Sequence, residues 1–231
     1  MKAAKIEDFE APETKHSKLE VSMHRNQRFR KFLRVLVILG HPSKGSFNHA
    51  IANTAVSKLH ENNHEVIYHD LYAEKFDPIL AGGESPKDAE LESLIEKHCK
   101  EIRGADGIII IHPNWWGQPP AILKGYIDRV IRAGVAYEFL EGDNGEGIPN
   151  GLLKAETALV FNTSNTSEER ELEVFGDPLE TIWKNCIFDL CGVKNFYRKM
   201  YRIVVTSNPE ERQLWLEDVK QIVDKYFPSQ D

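Results

Sequence analysis

Three short clusters in this 231-residue chain combine residue types that could hold a ligand. His112-Pro113-Asn114-Trp115-Trp116-Gly117 places two large aromatic rings beside an amide, directly after the apolar run 107–111. The rings either offer surface to something flat or pack the rim of a core, and the stretch alone leaves both open. Residues 40–48, Gly-His-Pro-Ser-Lys-Gly-Ser-Phe-Asn, have the glycine and serine content that lets an anion approach the free N–H groups of a helix start. An ordinary turn with Ser46 as N-cap explains them equally well, since neither a G-x-x-x-x-G-K-[ST] nor a G-x-G-x-x-G pattern is present. Asn162-Thr163-Ser164-Asn165-Thr166 carries only small hydrogen-bonding side chains, suited to the polar edge of a heterocycle and also common in turns.

The elements that must position these clusters follow from periodicity. Residues 33–39 and 107–112 are apolar almost throughout, as in strands buried on both faces of a parallel sheet. Residues 46–59 predict a helix with Phe47, Ile51, Ala55 and Leu59 on one face, followed by a second strand at 65–69. Helices are predicted at 87–103 and 119–132, a fourth strand at 157–162, a helix at 178–190 and a fifth strand at 196–205. A closing helix at 209–226 sets Trp215, Val219, Ile222, Val223 and Tyr226 on one face. Strands alternating with helices predict an α/β, doubly wound, five-stranded parallel sheet, because parallel neighbours need crossover connections. The three clusters then follow strands one, three and four, at the edge where such sheets bind ligands. A phosphate-sized turn, an aromatic loop and a polar loop at one edge together describe a flat, phosphorylated cofactor with a polar rim. Flavin is the plainest candidate.

Composition narrows the class. With 41 % hydrophobic residues the chain can bury one medium core, assigned to residues 32–231, after an N-terminal extension, 1–31, of mixed acids and bases. That extension is expected to be flexible or to pack on a partner. A net charge of -7 predicts no nucleic-acid partner, whose phosphates select clustered Lys and Arg. Cys99, Cys186 and Cys191 form no even disulfide set and no C-x-x-C pair, which fits a reducing, cytoplasmic setting. The apolar runs are strand-length and residues 1–31 lack an apolar core segment, so neither membrane insertion nor a secretory signal is expected. No metal site is expected either: His60, His64 and His69 lack ligand spacing and read as surface positions.

At this point the residues carry a resemblance. His41-Pro42 with Ser46-Phe47-Asn48, Asp70-Leu71-Tyr72-Ala73 with Phe76-Asp77-Pro78, and Pro113-Asn114-Trp115-Trp116 with the run from Pro120 to Val130 resemble the NAD(P)H:quinone oxidoreductase family of flavodoxin-like flavoproteins. The likeness covers residue 33 to the C-terminus. It implies a flavodoxin-like sheet of order 2-1-3-4-5, bound FAD with FMN as second choice, a homodimer, and two-electron ping-pong transfer from NADH or NADPH to a quinone-like acceptor. His41, Ser46, Phe47 and Asn48 match the family's pyrophosphate and ribityl contacts. Pro113, Asn114, Trp115 and Trp116 match its isoalloxazine loop, and Thr163, Ser164 and Asn165 stand where it often has Thr-Thr-Gly-Gly. Animal members place a Tyr and a His shortly after that loop; here no Tyr lies between Tyr137 and Tyr197 and no His follows His112. That pair's roles do not transfer, and the catalytic residues are left unassigned.

Because the cofactor carries the hard chemistry, the chain is expected to supply orientation and N–H donors from the 163–166 loop, not an acid or base. Glu168, Glu169 and Arg170 are the charged groups nearest that loop. Lys124 and Arg129 read as solvated-face, helix-end or subunit-contact charges, Asp128 as an i, i+4 partner of Arg132, and Cys186 and Cys191 as buried small hydrophobes. Tyr137, Phe139 and the 141–147 segment form either a lid or a plain surface loop. The runner-up function is a non-catalytic flavoprotein, an electron carrier or an accessory subunit sensing nicotinamide or quinone, with azo- or nitro-reduction as a further option inside the enzyme class.

Overall fold

The computed structural model describes residues 32–140, 142 and 147–229. The extension expected over 1–31, and most of the 141–147 segment, lie outside the described residues. Five parallel strands form the central sheet: β1 (Arg34–Leu39), β2 (Glu65–Asp70), β3 (Gly107–Pro113), β6 (Thr157–Ser164) and β7 (Asn195–Arg202), in the order β2-β1-β3-β6-β7. Counting only these five, the order is the expected 2-1-3-4-5. The remaining strands, β4 (Tyr137–Glu138) and β5 (Asn150–Gly151), form a small antiparallel ribbon.

The apolar run in β3 is continuous because both of its faces are covered. Ile108 and Ile110 pack into the layer containing α2 (Ser93–Gly104) and α3 (Ala121–Val130), whereas Ile109 and Ile111 pack under α1 (Phe47–Glu61) and α5 (Pro209–Tyr226). Successive side chains of a strand point to opposite faces, so each isoleucine belongs to one core, and burying it contributes roughly 1.5–3 kcal/mol. Helix α3 approaches the chain before it so closely that a Cβ at Gly125 would lie 2.2 Å from the Pro78 carbonyl oxygen, which only glycine avoids. In α1, Ile51, Ala55 and Leu59 enter the core as expected, while Phe47 is only half-buried. In α5 the buried residues are Val219, Ile222 and Val223, with Trp215 and Tyr226 at the margins.

Several boundaries differ from the sequence expectation for identifiable reasons. Helix α2 starts at Ser93, not residue 87, because the segment before it tethers α3: Glu84 is buried against Arg129, and the Pro86 carbonyl accepts from Arg132. Strand β7 stops at Arg202, since Ile203 takes a left-handed conformation (φ 58) and turns the chain into a 3₁₀ turn, Val204–Thr206. The helix expected at 178–190 is α4 (Pro178–Glu180) continued as a wide π-helix over Thr181–Phe188.

Four side-chain expectations are corrected. Arg129 is no solvated charge: it is 1 % exposed and donates to both oxygens of Glu84, at 2.9 and 2.5 Å. Asp128 pairs with Lys124 at 2.5 Å, not with Arg132. His60 is exposed, but His64 and His69 are buried; the ring of His64 bridges the Leu33 N–H and the Phe227 carbonyl, tying the sheet edge to the end of α5. Cys191 is buried as expected, whereas Cys186 is exposed.

Candidate active site

At the carboxyl edge of the sheet the loops after β1, β3 and β6 enclose a cleft of about 1070 Å³. Its size is at the upper end of the range for small-molecule and cofactor sites. All of the sequence-derived candidates line it: His41, Ser46, Phe47 and Asn48 from the first loop, Pro113, Asn114, Trp115 and Trp116 from the second, Thr163, Ser164 and Asn165 from the third.

The first loop ends on the N-cap of α1. Ser46 Oγ accepts from His49 N and lies 2.8 Å from His49 Nδ1, while His49 Nε2 lies 3.2 Å from Asp70 Oδ2. With Nε2–H donating to the carboxylate, Nδ1 accepts the serine proton, so the hydroxyl is committed and the helix-start N–H groups are what the turn offers an anion. His41 Nδ1 accepts from Ser43 N at 3.1 Å, leaving Nε2 as its donor. Partial burial lowers the pKa of His41, so the ring is neutral at pH 7. Asn48 is 3 % exposed; its Nδ2 donates to Thr163 Oγ1 at 2.8 Å, and its Oδ1 is buried with no hydrogen-bond partner.

The second loop is a tight hairpin. Trp115 and Gln118 exchange backbone hydrogen bonds at 3.1 and 3.0 Å around Trp116 (φ 59) and Gly117 (φ 71), the positive φ pair of a type I′ turn. A Cβ at Gly117 would lie 2.7 Å from Pro178 Cγ, so glycine is required there, while Trp116 bears the left-handed strain of a bulky residue. Trp115 is 42 % and Trp116 100 % exposed. Both therefore stand exposed at the cleft mouth and not inside a core.

Asn114 holds this hairpin. Its Oδ1 accepts from Gly117 N at 2.9 Å, its backbone N–H donates to Thr163 O at 2.7 Å, and its Nδ2 donates to both oxygens of Glu171 at 3.1 Å each. Glu171 is 1 % exposed and sits in a single π-helical turn, Arg170–Val174. Beneath the loop, His112 is fully buried: Nδ1 donates to Pro113 O at 2.8 Å, and Nε2 accepts from Trp183 Nε1 and Asn162 Nδ2, both at 2.9 Å. Burial pushes its pKa down to about 4 and keeps the ring neutral.

In the third loop the donors differ from expectation. Thr166 N–H is spent on Ser164 Oγ at 3.1 Å, and Asn165 Oδ1 accepts from Val205 N at 2.9 Å. The Asn165 amide N–H groups and the Thr163 hydroxyl remain able to donate. Sequence reasoning also missed Glu171, Val174, Phe175, Val204, Val205 and Arg212, all of which line the cleft. Arg212 is fixed by Ser207 Oγ at 2.8 Å and Val204 O at 3.1 Å, with its guanidinium carbon 6.0 Å from the Phe47 ring centroid, so a cation stands beside the α1 start.

Residues 33–225 match the flavodoxin-like fold family. The chain belongs to that family. An uncharacterized NAD(P)H oxidoreductase of Haemophilus influenzae is 34 % identical over 187 residues, covering 79 % of this chain and 90 % of the relative. The NAD(P)H dehydrogenase [quinone] 1 of Rattus norvegicus is 29 % identical over 210 residues, 81 % of this chain and 75 % of that one. A solved structure from Streptococcus mutans UA159 superposes with a TM-score of 0.71 at 30 % identity, spanning 84 % of this chain and all of its own.

Proposed function

We propose that this chain is a flavin-dependent NAD(P)H oxidoreductase that reduces quinones or similar acceptors by two-electron ping-pong turnover. The supporting observation is Asn48 Oδ1, a buried acceptor without a partner on the wall of a cleft that also joins a helix start, an aromatic hairpin and a polar loop. A buried acceptor left unpaired is costly, and a ribityl hydroxyl would satisfy it. When bound, the flavin supplies hydride chemistry that no side chain here provides.

The chain's own residues bind, orient and exclude water. The α1 N-terminus, the His41 Nε2–H and the Arg212 guanidinium favour a pyrophosphate, which supports FAD over FMN. Pro113, Asn114, Trp115 and Trp116 would hold the flat ring, and the Thr163 hydroxyl, Ser164 and the Asn165 amide would meet its polar rim. NADH or NADPH and then the acceptor would use the same open, apolar mouth in turn. Trp116, Val174, Phe175 and Val205 leave that mouth with exposed apolar rims, 47–100 % accessible, and a second copy of the chain would cover them in a homodimer. No helix among the described residues is long and apolar enough to cross a membrane. The free thiols of Cys99, Cys186 and Cys191 support a reducing, cytoplasmic setting.

The test is direct. The purified chain should carry a yellow chromophore that acid releases as FAD, and a flavin-stripped sample should take up FAD with a quenched flavin fluorescence. A chain that takes up neither FAD nor FMN overturns the proposal.

A further inference from the structure

We propose that His69, Glu74 and His98 form a binding site for one divalent transition-metal ion of the zinc class, separate from the cleft. His69 comes from the buried face of β2, Glu74 from the turn that follows it, and His98 from α2. None of the three lines the cleft. Their ligand atoms all lie within 4.8 Å of one another.

The decisive side chain is His98. It is 0 % exposed, and neither ring nitrogen has a hydrogen-bond partner. A buried imidazole with nothing bound at either nitrogen is rare, because the desolvated donor and acceptor are not repaid. Its orientation is fixed, since Phe76 and Tyr126 each meet it edge-on at 5.4 Å between centroids, and the His69 ring stands 4.1 Å away.

Distances agree with an ion at the centre. His69 Nδ1 is 2.7 Å from Glu74 Oε1, and His98 Nε2 is 3.7 Å from Glu74 Oε2, too long for a hydrogen bond. Tetrahedral zinc, with bonds of about 2.0–2.2 Å, separates neighbouring ligand atoms by roughly 3.3 Å, which these two spacings bracket. Small side-chain shifts of opposite sign would seat the ion.

The surroundings carry the second mark of a metal site. A ligating histidine usually passes its other N–H to a carboxylate, and His69 Nε2 lies 2.8 Å from Glu101 Oε2. Two imidazoles and one carboxylate, without thiolate, suit zinc better than calcium or magnesium, and three protein ligands leave a position for water. Glu74, with 31 % of its side chain exposed, gives the ion a way in from solvent. The competing arrangement, a His69 imidazolium clamped between Glu74 and Glu101, accounts for His69 but leaves His98 unexplained. Loading would pin the free edge strand β2 to α2.

Isothermal titration of the chelator-treated, full-length protein with zinc chloride tests this without reference to turnover or flavin. One zinc per chain is expected, with zinc-edge absorption showing two imidazoles and an oxygen donor. His98→Gln should abolish that binding, Glu101→Gln should weaken it 10–100-fold, and exposed His60→Gln should leave it unchanged. If His98→Gln does not fold, Glu74→Gln in the exposed turn serves in its place and should also abolish binding. Absence of stoichiometric uptake, or uptake equal in the wild-type chain and in the folded His98→Gln or Glu74→Gln chain, overturns the proposal.

Discussion

Asn114 Nδ2 donates to both carboxylate oxygens of Glu171, joining the aromatic hairpin after β3 to the π-helical turn after β6 across 57 positions of sequence. The amide has spent its oxygen on Gly117 N and its donors on a carboxylate that is itself 1 % exposed. Each end of the pair therefore depends on the other. Glu171→Ala should leave the half-buried Asn114 amide without its carboxylate, cost about 1 kcal/mol of stability, and weaken flavin affinity because the hairpin loses its brace. Urea melts and flavin titration of the same variant check both effects. Unchanged affinity would detach Glu171 from the site.

The two tryptophans give a separate prediction. Trp115→Ala with Trp116→Ala removes rings that are 42 % and 100 % exposed, so the melting temperature should barely move while flavin retention falls. Trp116→Gly is a sharper variant. Glycine accepts φ 59 without strain, so stability should hold or rise slightly as flavin binding weakens. Calorimetry beside flavin titration separates the two. Loss of fold with no selective loss of flavin would return these rings to a packing role.

His112 predicts a pH dependence. Burial holds its folded-state pKa near 4, below the usual value of 6.5. Between those values the unfolded chain binds the proton and the folded chain does not, so stability present above pH 6.5 is lost as pH falls toward 4. That one ring accounts for about 3 kcal/mol of the loss. His112→Gln should be less stable at pH 7 and lose less on acidification, read by urea unfolding at a series of pH values. An unaltered slope would contradict the buried neutral ring.

How much of this was legible in the sequence depends on distance along the chain. The isoleucine run of β3 and the alternation of strands with helices announce the parallel sheet, because each signal sits within a few residues, whereas its strand order comes from the family resemblance and not from periodicity. The three ligand loops are likewise local, and the fold only has to bring their ends together. Glu171, Arg212 and the Glu84–Arg129 pair were not legible, since each takes its role from a partner far along the chain. The same holds for His69 and His98: neither shows ligand spacing, yet β2 and α2 bring their rings to 4.1 Å. The end of β7 was misread because a left-handed isoleucine at position 203 has no sequence signature.

Charged groups just outside the cleft should matter little. Glu168 and Glu169 are exposed and do not line it, so replacing either by Ala should lower kcat/KM with a good quinone by less than about tenfold, roughly 1.4 kcal/mol. A loss of 10²–10⁴-fold with flavin still bound would mark a general acid or base in this segment.

The central claim is that one cleft serves donor and acceptor in turn, and rapid mixing reads it most directly. Flavin-loaded protein mixed with NADH or NADPH should bleach in a single phase without acceptor present, and a quinone in a second mixing step should restore the oxidised spectrum at a rate that accounts for turnover. A flavin that stays oxidised with both nucleotides, or that is reduced but not reoxidised by quinones, azo compounds or nitroaromatics, would contradict the account.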